Sequence, residues 1–101
     1  MRTETLYKTA ELLDMEMEYY IIEEDISEEY SDLQSYGIKI VKTKCAEGGG
    51  KIRESKEIGN IFYRKSDVEE FANILVRNTV TPMSLMDVVE DYIVDYFVGR
   101  N

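Results

Sequence analysis

Histidine and tryptophan are absent from this 101-residue chain, and cysteine and proline occur once each, as Cys45 and Pro82. Without histidine the chain lacks the usual general base and the commonest transition-metal ligand. A lone cysteine excludes an internal disulfide and leaves a thiolate zinc site short of ligands. No apolar run approaches the roughly 20 residues that span a bilayer. The opening segment, residues 1–8, lacks the apolar centre of a secretory signal. Cytoplasmic residence is the expectation, with no membrane partner.

Hydrophobic residues make up 44% of the chain, enough for a packed core in one domain, residues 1–101. The net charge of −9 disfavours nucleic acid and anionic surfaces at long range, although a local basic patch can act against that field nearby.

Residues 1–13 alternate without a clear apolar face and read as an edge strand or a loose arm. From Met15 the period is two: Met15, Met17, Tyr19 and Ile21 share one face, against Glu16, Glu18, Tyr20 and Ile22. Tyr20 and Ile22 interrupt the polar face, so that half of the strand needs cover on both sides, from a partner subunit or the N-terminal arm. Residues 23–32 form an acidic connection, either a short helical turn or a solvated loop. Tyr36, Ile38 and Ile40 then share a strand face on which Lys42 and Lys44 follow. Either a bulge shifts the register near Val41 or the strand runs past the core into water. Gly48, Gly49 and Gly50 suit a turn, and residues 51–58 return as a mostly polar strand.

Two helices close the chain. Ser66 and Glu69 have capping-box spacing, followed by an apolar face of Val68, Phe71, Ala72, Leu75 and Val76. Thr81 and Pro82 are suited to the N-cap and first position of the second helix. Its apolar face holds Leu85, Val88, Val89, Tyr92, Ile93 and Tyr96, and Gly99 can end it. The fold class is α+β: an antiparallel meander of three to four strands with two C-terminal helices on one face.

Charge is segregated along the chain. Residues 11–32 hold ten acids and no base, residues 39–65 eight bases and three acids, and residues 66–101 seven acids and two bases. Pairing of the acidic first strand with the basic second strand is the favoured account. The competing one is a basic hairpin, residues 39–56, that grips nucleic acid. Interspersed Glu47, Glu54 and Glu57, and the lack of an aromatic nucleic-acid motif, count against it.

Candidate chemical sites are weak. Asp87, Glu90, Asp91 and Asp95 recur at helical spacing and could ligate a hard cation, but a solvated helix face explains them better. The acids at 23–29 are better read as a solvated run than as a catalytic pair. Cys45 has no base to activate it. The stretch ending at Gly50-Lys51 departs from a phosphate-binding loop twice, at Cys45 and at Ile52. Eight tyrosines are numerous for this length, and exposed ones suit a protein interface.

Tyr36-Gly37-Ile38-Lys39-Ile40, Ile58-Gly59-Asn60-Ile61 and the run from Asn78-Thr79-Val80-Thr81-Pro82 into Leu85–Asp91 carry a resemblance. Over roughly residues 15–97 the chain resembles a family of short uncharacterised proteins of clostridia and related Gram-positive bacteria, a domain of unknown function. The resemblance implies a compact bacterial domain and supplies no catalytic or ligand residue.

These observations favour a non-enzymatic interaction or regulatory domain without cofactor or metal, binding a protein, including a second copy of itself, through a sheet edge or helix face. The candidate surface is Tyr20, Ile22, Lys42, Lys44, Lys51 and Arg53. The alternatives are nucleic-acid binding through residues 39–56 and a small metal-dependent enzyme using the C-terminal carboxylates.

Overall fold

The computed structural model describes residues 2–25 and 33–98, with side chains through residue 94. Four long strands, β1 (Arg2–Leu12), β2 (Met15–Asp25), β3 (Gln34–Cys45) and β4 (Lys51–Phe62), form an antiparallel sheet in sequence order. Helices α1 (Lys65–Arg77) and α2 (Leu85–Val98) follow, with a short 3-10 turn at Pro82–Ser84 before α2. The N-terminal segment is therefore an edge strand and not a loose arm, and β2 continues through Asp25 into the stretch expected to be a connection. The expected turn or loop around Ile26, Tyr30 and the neighbouring acids lies outside the described residues, as does Gly99.

The two-residue period sends Met17, Tyr19 and Ile21 of β2 and Ile38 and Ile40 of β3 to one side, where they meet Val68, Phe71, Ala72 and Leu75 of α1 and Leu85 and Val89 of α2. Phe62, Phe71 and Tyr92 join at ring-centroid distances of 4.7–5.9 Å in tilted and edge-on arrangements favoured by aromatic quadrupoles.

Two irregularities shape the sheet. On β1, Leu6 stands opposite Tyr20 and Lys8 opposite Tyr19, so Tyr7 is an extra residue. The bulge turns Tyr7 toward α1, where its hydroxyl donates to Asn73 Oδ1 at 3.0 Å. Between β3 and β4, Tyr36 faces Phe62 and Ile38 faces Ile58, leaving Gly59, Asn60 and Ile61 against Gly37 alone. Only glycine fits at position 37: a Cβ there would lie 2.3 Å from the Ile58 carbonyl oxygen and 2.7 Å from Gly59 Cα. Of the two readings at Val41 the second holds: β3 keeps one register with β4 from Ile38 to Cys45, without a bulge, and runs on past the core toward the glycine turn. Its turn closes with Ala46 N–H donating to Gly50 O at 2.7 Å, while Gly48 and Gly49 adopt φ of +88° and +92°.

Neither expected helix cap forms as read. α1 begins at Lys65, one residue before Ser66, so Arg64 occupies the N-cap and Ser66 sits inside the first turn, where it cannot cap. Thr81 is the N-cap of the 3-10 turn and makes no side-chain cap bond, and the α-helix starts only at Leu85.

The helices cover only part of one sheet face. The Cα radius of gyration is 15.2 Å, against about 13 Å for a compact chain of this length. The long dimension of 54 Å reflects a sheet that outruns its helices.

Candidate functional site

The end of the sheet that the helices leave uncovered is the most distinctive surface. Strand register aligns Leu12, Met15, Lys44 and Ile52 in one row across all four strands, and Ala10, Met17, Lys42 and Glu54 in the next. Directly paired residues point to the same face, and alternation from Ile40 places both rows on the helix side: Met17 of the second row is fully buried in the core, and the first row lies beyond it. This ledge leaves Leu12 45% and Ile52 46% exposed, with Leu13 wholly exposed at the β1–β2 turn. A depression of about 250 Å³ lies at the hairpin tips, where Leu12, Leu13 and Met15 meet Lys44 and Lys51 and three acids, Glu11, Asp14 and Glu16.

The ledge is basic in an acidic molecule. Lys42, Lys44 and Lys56 lie on its side of β3 and β4, with Glu54 as the acid among them, 3.4 Å from Lys42. Where ledge meets helices, a groove of about 390 Å³ runs between β4 at Glu54–Lys56 and the 3-10 turn at Pro82 and Met83.

The opposite sheet face is organised differently. Ile22 and Val41 lie on it, each 1% exposed, and both described helices pack on the other side. Beside them on the N-terminal strand, Glu4 is the register partner of Ile22 and Leu6 that of Tyr20. Above them Arg2 of β1 reaches Glu57 of β4, the opposite edge strand, and Lys39 Nζ lies 3.0 Å from Glu4 Oε1. The Lys39 hydrogen bond holds the Glu4 carboxyl below its ordinary value, and the Glu57 hydrogen bond raises Arg2. The Tyr20 hydroxyl donates to Glu18 at 2.9 Å, which raises its pKa.

These pairs correct the expected ladder of β2 acids against β3 bases. The register sets Glu16 against Thr43, Glu18 against Val41, Glu23 against Tyr36 and Glu24 against Ser35, while Lys42 and Lys44 face Met17 and Met15. The ion pairs instead join β1 to β2 through Arg2 and Glu24, β1 to β3, β1 to β4 and β3 to β4, with Arg2 also 3.8 Å from Glu4 on its own strand.

The six nominated surface residues do not form one patch. Lys42 and Lys44 lie on the ledge, whereas Tyr20, Ile22, Lys51 and Arg53 are on the opposite face, by their pairing with Lys39, Gly37, Cys45 and Thr43. The basic hairpin is thus divided between two faces. Sequence reasoning missed Leu12, Met15 and Ile52, whose shared row follows only from the register of all four strands.

Asp87, Glu90 and Asp91 are exposed on α2, and the Asp95 side chain lies outside the described residues. Among the described residues, no three or more acids or cysteines are grouped so as to hold a metal ion. Cys45 is exposed and ends β3 opposite Lys51. No helix among the described residues is long and apolar enough to cross a membrane.

The arrangement defines an α+β domain: a four-stranded antiparallel meander whose two C-terminal helices cover part of one face. The chain belongs to the family of unknown function DUF6514, whose model matches residues 3–95. Neither a curated protein nor a solved structure matches the chain.

Proposed function

We propose that this chain is a non-enzymatic protein-interaction domain of the bacterial cytoplasm, and that it docks an acidic, partly apolar protein surface on the ledge. The supporting observation is the row of exposed Leu12, Lys44 and Ile52 with half-buried Met15 among them, and Lys42 and Lys56 beside it. Aliphatic side chains interleaved with lysines suit a protein surface carrying both apolar and acidic groups.

The face is favoured over the sheet edges. Edge strand β4 carries Lys51, Arg53, Lys56 and Glu57 and has the irregular stretch at residues 59–61, while β1 is interrupted by its bulge at Tyr7. Charged residues and bulges are the devices that keep an edge from accepting another strand. Nucleic acid is disfavoured because the hairpin's bases are split between faces and dispersed among acids.

The test is a photo-crosslinking residue at position 52 in the native cell, with position 9, a β1 residue on the opposite face, as control. Docking on the ledge yields a discrete protein adduct from position 52 and none from position 9. No adduct from position 52 overturns the reading.

A further inference from the structure

We propose that the ledge is occupied by a second copy of this chain, each copy laying the outer face of α2 on the other's ledge in a reciprocal two-fold dimer. The inference rests on the reading of the ledge as a protein-docking surface and names its partner.

The first argument is chemical complementarity within one molecule. At about 100° per residue, Met86, Glu90, Val94, Asp87 and Asp91 fall within an arc of about 140° on α2. Leu85, Val88, Val89, Tyr92 and Ile93 occupy the opposite side and contribute to the core. The outward arc is exposed, with Met86 and Val94 set among three carboxylates. It is acidic and partly apolar, the surface chemistry that the Lys42, Lys44 and Lys56 side of the sheet fits. The net charge of −9 opposes self-association at long range. Physiological salt screens that repulsion beyond about 8 Å while leaving contact pairs largely intact.

The second argument is shape. Sheet plus helices make most of the molecule two layers thick, and the ledge end is one layer. The step between them is one helix diameter, about 10 Å, so it accepts one helix layer from a second molecule. The α1–α2 connection and the 3-10 turn form its wall, where Met83 is 84% exposed beside the β4 groove. Two such stepped bodies related by a two-fold axis interlock, each helix layer over the other's ledge and the Met83 walls facing. Such an isologous arrangement satisfies both surfaces and closes without propagating. The ledge is shallow on β1 and β2, where it begins at the Leu12–Met15 row because Met17 is fully buried, and deeper on the β3–β4 hairpin, where Lys44, Cys45, Lys51 and Ile52 are exposed.

Sedimentation of the full-length chain decides it. The wild type at hundreds of micromolar is expected at twice the chain mass of 11.8 kDa. The ledge variant K44E/K56E and the helix variant D87K/E90K are each expected to be monomeric, with far-UV spectra and melting temperatures unchanged. Their equimolar mixture regains the dimer, because in the mixed pair reversed charges meet reversed charges and native meets native. Ile52→Ser provides a variant without charge reversal and is also expected to be monomeric. A monomeric wild type, a dimer indifferent to both charge reversals, or a mixture that stays monomeric overturns the proposal. If the wild type is monomeric while position 52 still crosslinks to a different protein, the second copy is wrong and the docking surface stands. If position 52 captures nothing, both fall.

Discussion

The Tyr19 hydroxyl, on the middle strand β2, donates a hydrogen bond to the carbonyl oxygen of Val80 at 2.9 Å, tying the sheet to the connection between the two helices. Val80 N–H in turn donates to Leu75 O at 3.0 Å, so that connection is held to α1 as well. The edge of the helix layer is thus fastened at a defined place along β2, and the ledge begins beyond it.

Tyr19 is fully buried, and burial pushes its phenol up to about 12 from an ordinary 10.0. A raised folded-state value means the proton is held more tightly in the folded chain. The stabilising contribution is therefore complete below pH 10 and lost as pH rises from about 10 to about 12, on the order of 2–3 kcal/mol in all. Tyr19→Phe is expected to cost about 1 kcal/mol at neutral pH, since the Val80 carbonyl loses its donor. It should also flatten the alkaline decline, and phenolate absorbance should lose a late-titrating tyrosine.

Gly37 and Gly59 are close neighbours with opposite tolerance. Gly37→Ala drives a Cβ into the β4 backbone and should destabilise by about 2–3 kcal/mol as that strand shifts. At Gly59 the nearest atom to a new Cβ is the flexible Glu24 Oε1 at 3.4 Å, and Gly59→Ala should cost under about 1 kcal/mol. Urea unfolding of both variants checks the contrast.

The fold was largely legible in the sequence because its periods are local. The Met15–Ile21 alternation and the faces of Val68–Leu75 and Leu85–Ile93 each identify an element from a few residues. The ledge was not legible. Lys44 and Ile52 are separated by a turn, and Leu12 and Met15 by another, so their alignment depends on two hairpin registers and on the third that joins them. The ion pairs were misplaced for the same reason. Arg2 and Glu57 are 55 positions apart, and only the pairing of four strands brings them together. The cap at Ser66 failed more simply: a helix start displaced by one residue turns a capping side chain into an interior one.

The Lys39–Glu4 pair lies over the face opposite the ledge and is half-exposed, so its effect is modest and screened. Because Glu4's folded value lies below its ordinary 4.5, its contribution is present above that pH and declines as pH falls through the lowered value. A double-mutant cycle of Lys39→Met and Glu4→Gln should give a coupling of at most about 1 kcal/mol at low salt. The coupling should vanish in high salt and below the lowered pKa.

The central claim is that the end of the sheet beyond the helices serves association rather than folding. Sedimentation and thermal melting of the Leu12→Ser/Ile52→Ser variant test it together. Both side chains are about half exposed, so stability should change by less than about 1 kcal/mol and the melting temperature by only a few degrees. Association should be lost outright. A variant that associates as the wild type does, or one whose melting temperature collapses, would contradict the account.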